Sequence, residues 1–541
     1  MKKLSIDRNI IYCAVLITLI FTPMNFDALI IPKISILFIF SLYLLPKVIL
    51  KFSEIRKNKK ILALLFILVL FIFQLILVMF LSPAPFEQEF FGRTGRGLGL
   101  TTYFSLAVLF LGTAVYSSTT TINILIAGLA ISGFFSSLYS LIQRFNLDPI
   151  DWNSRTNGII GTLGNPNFQS SFAAMVFIPL LVYSTKHKFK YFLAPTSLVI
   201  FILTIYFTQS TQGYIAIAAT ILFLFLLFTW YKNRRIFYLA AISTIAIGIT
   251  VILGMLNKGL LAQYLYKVSV RSRGDFWRAA FGMANDHPFF GVGLDSYSDS
   301  FLIYRDRQQI EMADNAHNYF LEFAATGGYP LAIIYVSIIL LTAYCIYALQ
   351  KKVGKFDVKL ASLYSAWLVF QLQSIISPAN ISLIVWHSII SGFLIGINFD
   401  KNENLSQSTI INKKLKIFPN LSANLLMLCG LATMFPLYST DKAIKDSLTK
   451  SDITLVMKSL TAYPESSIRY NIFTQEIYRL NLLPQALEMG RAAASFNPNA
   501  VSAWALIFVN PQAPIEERIK ARQEILRLDP LNREVFKYDL K

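Results

Sequence analysis

Apolar runs of close to 20 residues recur along most of the chain, and they constrain the fold more than any other feature. A run of this length crosses the hydrocarbon core of a bilayer as a helix. The sequence contains thirteen candidate spans, at about residues 10–22, 28–49, 61–81, 100–116, 122–142, 167–184, 191–208, 214–230, 236–256, 328–349, 360–376, 381–397 and 417–437. We therefore predict an all-α, polytopic membrane helix bundle, and a composition that is 55% hydrophobic and only 15% charged agrees with this class.

Lysine and arginine are distributed unevenly among the segments between these spans. If the N-terminus is cytoplasmic, the inside segments hold 22 basic residues and the short outside loops hold 4. Cytoplasmic loops are the ones that carry such an excess. The bias predicts a cytoplasmic N-terminus and, because the number of spans is odd, an extracytoplasmic C-terminus. The net charge of +19 then reflects membrane anchoring, and we expect no nucleic acid partner.

Two long segments fall on the outside in this topology. Residues 1–437 form the predicted membrane domain, which includes a polar loop over residues 257–327. In residues 438–541, Pro464, Pro498 and Pro530 lie 34 and then 32 residues apart, and small residues and one aromatic match the pattern of a tetratricopeptide unit. We predict a C-terminal, extracytoplasmic helical-repeat module that binds or packs rather than catalyses.

Several arginines lie on the predicted outside, against the general bias. Guanidinium groups keep their charge and match the geometry of phosphate. These arginines indicate an anion-binding face, and the alternative is that each of them pairs with a nearby carboxylate such as Asp148, Asp151 or Asp275. The set consists of Arg93 and Arg96 in a glycine-rich turn, Arg144 and Arg155 in the next outside loop, and Arg271, Arg273, Arg278, Arg305 and Arg307 in the 257–327 loop.

His317 is the candidate base. It lies at the junction between the 257–327 loop and the next span, three residues after Asp314. Imidazole takes up or donates a proton near neutral pH. No two histidines stand at metal-ligand spacing, there is no cysteine pair, and the Gly-x-Ser-x-Gly pattern of serine hydrolases does not occur. We expect neither a metal nor a cofactor at this site.

Four motifs follow one another along the chain: Arg155-Thr156-Asn157-Gly158 with Gly161 to Asn167, Arg273 followed by Trp277, Asp286 to Gly293, and His317-Asn318 with Glu322 and Gly327-Gly328. In this order they resemble the motifs of the bacterial O-antigen ligase superfamily, which includes O-antigen ligases, O-antigen polymerases and protein O-oligosaccharyltransferases. The resemblance covers about Arg155 to Gly328, and the span count extends it to about Ile397. The chain departs from the family at Thr208-Gln209-Ser210-Thr211-Gln212-Gly213, where relatives often show Ser-Arg-Gly.

The resemblance implies a metal-independent, inverting glycosyltransferase of the bacterial inner membrane. Such an enzyme transfers a glycan from undecaprenyl diphosphate to an acceptor hydroxyl on the outer face. Carried over by position, His317 and Arg273 are catalytic, and Arg155 with Arg273 holds the diphosphate. Arg93, Arg96, Arg271 and Arg278 join the diphosphate-binding set because of their charge alone, and Asn165, Asn167, Trp277 and Asn318 are motif residues with a structural role.

The acceptor stays open at this point. It is a protein, the lipid A core, or the growing glycan of an O-antigen polymerase, and the C-terminal module favours a protein by analogy. A transporter or flippase for lipid-linked glycans is the alternative from another class, and it predicts ionisable residues within the spans. Lys33 and Lys47 lie near the ends of the second span, where we expect their side chains to reach the membrane surface.

Overall fold

The computed structural model of the protein describes residues 5–152, 158–186, 190–306, 312–397 and 418–536. Within these ranges every regular element is helical, which confirms the predicted fold class. Eleven helices precede the long loop: α1 (Ile6–Leu19), α2 (Ile30–Ile49), α3 (Phe52–Arg56), α4 (Lys59–Leu81), α5 (Phe86–Phe91), α6 (Leu100–Tyr116), α7 (Thr121–Arg144), α8 (Pro166–Lys186), α9 (Lys190–Thr208), α10 (Thr211–Lys232) and α11 (Arg234–Met255). Twelve more lie within this loop or after it: α12 (Ala262–Leu265), α13 (Val268–Asp286), α14 (Tyr297–Tyr304), α15 (Tyr319–Val353), α16 (Val358–Ile376), α17 (Ile381–Gly396), α18 (Phe418–Lys450), α19 (Ile453–Leu460), α20 (Ser467–Arg479), α21 (Leu483–Phe496), α22 (Val501–Val509) and α23 (Ile515–Leu528).

Each of the thirteen predicted spans coincides with one of these helices. In the described part of the chain, nine helices are long and apolar enough to cross a membrane. The other four predicted spans are α1, α6 and α17, with 14, 17 and 16 residues, and α16, which has 19 residues and carries several serines and glutamines. The chain is therefore a multi-pass membrane protein with a bundle of long and short helices.

The two short helices α6 and α17 pack against each other in the centre of the bundle. Small residues bring their backbones together: a Cβ on Gly392 would lie 2.5 Å from the Phe110 carbonyl oxygen, and one on Gly396 would lie 2.3 Å from that of Ala114. Close packing through small residues is how membrane helices associate where lipid is as apolar as their side chains. All sixteen residues of α17 are buried.

Segments predicted to lie on the same side of the membrane contact one another. On the predicted outside, Ser377 donates a hydrogen bond to the side chain of Gln212 over 3.0 Å. On the predicted inside, the Tyr231 hydroxyl donates to the Gln350 carbonyl over 3.2 Å. The alternation of inside and outside segments derived from the sequence is consistent with these contacts.

Lys33 does not reach the membrane surface, and that prediction is wrong. Its side chain is 1% exposed in the core of the bundle, where Nζ donates to the Thr162 carbonyl and, over 3.2 Å, to Ser382 Oγ. Lys47 is also buried, and it donates to Asn420 over 3.1 Å. Carbonyl, hydroxyl and amide oxygens accept hydrogen bonds from these ammonium groups and replace water around them. The positions of Lys33 and Lys47 near the ends of the second span were an argument against a transporter, and their burial removes this argument.

The predicted 257–327 loop is largely helical, and its end belongs to α15. That helix is interrupted at Gly328, whose φ of +76° and ψ of 170° are not helical. The first piece begins at Tyr319 and the second continues as the predicted span. The break separates the outside segment that carries His317 from the membrane helix.

The C-terminal helices α19 to α23 share a hydrophobic core of their own. They are joined to the bundle by α18, which is continuous from Phe418 to Lys450, so the predicted boundary between residues 437 and 438 lies inside one helix. The module docks on the outside segments through polar contacts: Arg305 donates to both carboxylate oxygens of Asp529 over 2.8 and 3.0 Å, and Asn497 donates to Asp299 over 3.0 Å. Its tetratricopeptide character stays a prediction.

Candidate functional site

Asp295 joins two of the predicted motifs at the outer end of the bundle. Its side chain is 1% exposed, and its backbone has a positive φ of 55°. One carboxylate oxygen accepts hydrogen bonds from the backbone amides of Arg93 and Leu98, over 2.8 and 3.1 Å. The turn with Arg93 and Arg96 is therefore fixed to the segment that follows Gly293.

The guanidinium groups of Arg93 and Arg96 are paired with carboxylates. Arg96 contacts Asp295 over 2.9 Å and Glu322 over 3.3 Å, and it also donates to the Asp314 carbonyl over 3.1 Å. Arg93 pairs with the Asp314 carboxylate over 3.1 Å. The ion-pairing alternative is thus the one the geometry favours for both arginines, and their binding of a diphosphate stays a prediction.

His317 stands immediately before α15 in an unusual backbone conformation. Its φ of +50° lies in the left-handed region, which a non-glycine residue rarely adopts. Its amide donates to the Asn315 side chain over 2.9 Å. The imidazole packs on the Phe276 ring of α13, with 5.5 Å between the ring centroids. The ring is therefore held between the loop and α13.

Burial and two arginines determine the protonation state of His317. Burial first, and then the charges of Arg273 and Arg96, lower the pKa of His317 from 6.5 to about 4, and the carboxylate of Asp314 opposes this shift. At neutral pH the imidazole is thus uncharged. An uncharged imidazole accepts a proton, so His317 has the protonation state of a general base.

Asn318 and Glu322 organise the start of α15 beside His317. The Asn318 side chain caps the helix, because its oxygen accepts hydrogen bonds from the amides of Phe320 and Leu321 over 3.0 Å each. One turn later, Glu322 accepts a hydrogen bond from the Ala316 amide over 2.7 Å. Both side chains therefore fix the backbone on either side of the histidine.

A cavity of about 470 Å³ opens between α13 and the outer ends of α11 and α16, and we call it the arginine cavity. Its lining combines cations with aromatic and apolar groups, a combination that suits an amphiphilic ligand. The residues of interest here are Tyr266, Arg271, Arg273, Trp277, Arg278 and Ile376.

Arg273 is the half-buried cation of this cavity. Its side chain donates to the carbonyls of Ile376 and Ser269 over 3.0 Å each, which fixes its orientation. Burial lowers the pKa of Arg273, but a guanidinium group stays charged at neutral pH. Arg278 is exposed and forms an ion pair with Asp275. Pairing with a nearby carboxylate was the alternative to anion binding for these arginines.

Asn165 and Asn167 hold two helix starts together, in line with their predicted structural role. The Asn165 side chain accepts a hydrogen bond from the Asn167 amide over 2.8 Å at the start of α8. The Asn167 side chain accepts one from Ser210 over 2.7 Å, and Ser210 precedes α10. The segment in which the chain departs from Ser-Arg-Gly thus takes part in this contact.

The predicted arginines do not form one face. Arg93 and Arg96 form a first group in the ion-paired cluster, and Arg271, Arg273 and Arg278 form a second group in the cavity. Arg144 lies over the Phe207 ring, Arg305 pairs with Asp529, and Arg155 and Arg307 lie outside the described residues. His317 is acted on by Arg96 from the first group and Arg273 from the second. Within the described ranges, no three His, Cys, Asp or Glu side chains are arranged to hold a metal ion.

Two buried carboxylates near the site were missed in the sequence. For Asp295, the only sign of a role in the sequence was its position shortly after the glycines Gly291 and Gly293 of the third motif. Glu89 had none: its carboxylate accepts hydrogen bonds from the Ser82 hydroxyl and the Leu294 amide, over 2.7 and 3.0 Å. Burial raises the pKa of Glu89 to about 7. Both carboxylates accept hydrogen bonds from backbone amides, Asp295 from Arg93 and Leu98 and Glu89 from Leu294.

Residues 196–336 match a family model described as O-antigen ligase, and the match includes Arg273, the Asp286 to Gly293 motif and His317. No curated protein matches the chain. This stretch of a multi-pass membrane protein is therefore similar to O-antigen ligases.

Proposed function

We propose that the chain is an O-antigen-ligase-like glycosyltransferase of the bacterial inner membrane. It moves a glycan from undecaprenyl diphosphate to an acceptor hydroxyl on the outer face of that membrane. The observation that carries the proposal is the placement of His317 on the Phe276 ring of α13, the helix whose Arg273 is oriented by two carbonyls and lines the arginine cavity. Burial and the charge of Arg273 lower the pKa of His317, which favours the uncharged imidazole. A base and fixed cations are the groups that this transfer requires.

The transfer is a single displacement at the anomeric carbon. The imidazole of His317 accepts the proton of the acceptor hydroxyl while the hydroxyl oxygen forms a bond to that carbon. The bond from the carbon to the diphosphate oxygen breaks, and undecaprenyl diphosphate leaves with the electron pair. Attack from the side opposite the leaving group inverts the configuration at the sugar, and His317 later releases its proton to water.

Arginine side chains take the role that a metal ion has in many reactions of phosphates. The leaving diphosphate gains negative charge, and fixed guanidinium groups stabilise this charge without reorganisation. Arg273 is the best placed, because two backbone carbonyls orient it and its charge reaches His317. Arg271 and Arg278 line the same cavity. We therefore propose a metal-independent reaction.

The orientation rests on the distribution of lysine and arginine. The ratio of 22 basic residues inside to 4 in the short outside loops supports a cytoplasmic N-terminus and a periplasmic C-terminus. His317, the arginine cavity and the C-terminal module then face the periplasm. The apolar rim of the cavity, with Ile376 at the end of α16, is suited to the prenyl chain of the donor.

The acceptor is a hydroxyl group of a protein or of the lipid A core, and we favour the protein. The support is the C-terminal module, which is docked beside the outside segments through Arg305 and Asn497 and offers a surface of its own. In an O-antigen polymerase the acceptor is the growing glycan. Offering the enzyme each of the three acceptors separately distinguishes these possibilities.

The test is transfer from a native undecaprenyl-diphosphate glycan by the purified protein in detergent, with a chelator present. Arg273→Ala is expected to lower kcat about 100-fold, because it removes a charge that stabilises the leaving group. Arg144→Ala is the matched control: Arg144 is predicted on the same side, and its guanidinium lies 4.9 Å from the centre of the Phe207 ring. The control is expected to keep its rate within about twofold.

Three outcomes contradict parts of this proposal. Full activity of Arg273→Ala removes the arginine cavity from the reaction. Loss of wild-type activity in the chelator, with recovery on addition of a divalent ion, removes metal independence. If wild-type protein in vesicles moves the lipid-linked glycan across the bilayer and never transfers it, the chain is a transporter.

A further inference from the structure

We propose that Arg96 is a positioning residue for His317, acting through Glu322 and the backbone of residues 314–316, and is not a ligand of the donor diphosphate. This inference rests on the proposed function, because it takes His317 to be the base. It assigns a different role to an arginine whose charge alone suggested phosphate binding.

The guanidinium group of Arg96 is engaged on all three nitrogens. Nε pairs with Asp295 over 2.9 Å, Nη1 donates to the Asp314 carbonyl over 3.1 Å, and Nη2 donates to Glu322 over 3.3 Å. The Arg96 side chain is only 13% exposed. A planar fork that is held in three directions defines the positions of its partners closely.

Glu322 transmits this position to the residue before His317. One oxygen of its carboxylate contacts Arg96, and the other accepts a hydrogen bond from the Ala316 amide over 2.7 Å. The Ala316 side chain is fully buried, so this segment has little room to shift. Arg96 thus holds the backbone at Asp314 directly and at Ala316 through Glu322.

The conformation of His317 requires such support. A φ of +50° costs a non-glycine residue of the order of 1 kcal/mol or more, and it persists where the surroundings hold it. The side chain of Asn315 accepts a hydrogen bond from the His317 amide, and the helix cap by Asn318 fixes the backbone that follows the histidine. Without the contacts of Arg96, the loop is expected to relax and to move the imidazole.

The charges around Arg96 disfavour a diphosphate there. The cluster contains two arginines, Arg93 and Arg96, against three carboxylates, on Asp295, Asp314 and Glu322. A diphosphate would have to displace carboxylates, and that of Asp295 is almost fully buried. Among the described residues that line the arginine cavity, by contrast, three arginines, Arg271, Arg273 and Arg278, stand beside two acids, Asp275 and Asp306.

The test compares Arg96→Gln and Arg96→Lys with wild type in the transfer assay, as a function of pH. For Arg96→Gln we expect kcat to fall about 30-fold or more, with the KM for the donor changed less than about twofold, since displacement of a base by 1 Å can cost about 100-fold. Arg96→Lys keeps the charge and part of the contacts, and it is expected to recover part of kcat.

The titration of His317 is the second readout, because it reports whether the charge of Arg96 acts on the imidazole, while the separate effects on kcat and KM report positioning. The charged groups that act on this imidazole are Arg273, Arg96 and Asp314. Removing the charge of Arg96 takes away one cause that lowers the pKa of His317. In histidine-labelled protein followed by nuclear magnetic resonance, the midpoint is expected to rise from about 4 toward 6.5 in Arg96→Gln and to stay near 4 in Arg96→Lys.

Arg305→Gln is the matched control, since Arg305 is also a partly buried arginine of the outside segments and is paired with Asp529. It is expected to leave the His317 midpoint unchanged. A higher donor KM at unchanged kcat in Arg96→Gln would identify Arg96 as a diphosphate ligand and overturn the inference, as would unaltered kcat and titration. The proposed function fails separately, if His317→Ala and Arg273→Ala both keep full activity.

Discussion

Replacing His317 by alanine is expected to lower kcat for glycan transfer about 1000-fold, within the range that loss of a general base produces. The acceptor hydroxyl is a weak nucleophile, and without the imidazole no neighbouring group takes its proton in this proposal. The KM for the lipid-linked donor is expected to change little, because the proposed function assigns binding of the donor diphosphate to the arginine cavity. Steady-state kinetics with purified protein at pH 7 measures both values.

The pH dependence of the wild type tests the same residue independently. Burial and the charges of Arg273 and Arg96 lower the pKa of His317 to about 4. The uncharged base is therefore fully present at neutral pH and is lost only as the pH falls through about 4. The acid side of the profile is expected to have its midpoint there, well below the 6.5 of an unperturbed histidine.

His287→Ala provides the matched histidine control. His287 is an exposed histidine of the same outside segment. Its backbone amide donates to the Met283 carbonyl, and its carbonyl accepts from the Gly291 amide. Its replacement is expected to change kcat less than about twofold. Equal losses in both variants would point to a general effect on folding, and a midpoint near 6.5 in the wild type would contradict the described environment of His317.

Gly328→Ala is expected to have the largest effect on stability, about 3 kcal/mol or more. Gly328 has a φ of +76°, and an added Cβ would lie 2.4 Å from the carbonyl carbon of Phe289 and 2.7 Å from the Pro288 carbonyl oxygen. Backbone atoms cannot move aside as a flexible side chain does. The Tyr329 amide also donates to the Pro288 carbonyl over 2.8 Å, so a shift would break this contact between the two motifs.

Gly354→Ala separates the two causes. Gly354 ends the same helix, α15, with a φ of +66°, but an added Cβ there meets nothing within 4 Å. Its replacement should cost only the backbone strain, about 1 kcal/mol. The apparent unfolding temperature in detergent is the measurement, and Gly328→Ala is expected to lower it several times more than Gly354→Ala. Similar decreases would show that the close packing at Gly328 contributes little.

The helices were predictable because, within a membrane, helix formation depends on the residues of the segment itself. Inside a bilayer the backbone must satisfy its hydrogen bonds within its own segment, so an apolar run of sufficient length becomes a helix whatever its neighbours are. This is why all thirteen predicted spans coincide with helices. Asn318 followed by a helix is equally local, since the cap involves residues two and three positions further on.

The motif glycines were visible in the sequence, but their physical role was not. Gly291 would bring a Cβ to 2.4 Å from the Ala325 carbonyl oxygen, and Gly328 would bring one against Phe289. The two motifs are therefore spaced along the chain and pack backbone to backbone in the fold. The sequence order of the motifs indicated the family, and only the packing explains why glycine occurs in both.

The sequence by itself determined the class of the protein and its helices, and it predicted a cytoplasmic N-terminus and His317 as the candidate base. The tertiary structure decided which charges are paired and which line a cavity. Arg96 and Glu322 are 226 residues apart, and Arg93 and Asp295 are 202 apart, so no local pattern relates them. Lys33 likewise donates a hydrogen bond to Ser382, which lies 349 residues further along the chain. The environment of a charged side chain depends on partners that only the folding of distant segments brings within hydrogen-bonding distance.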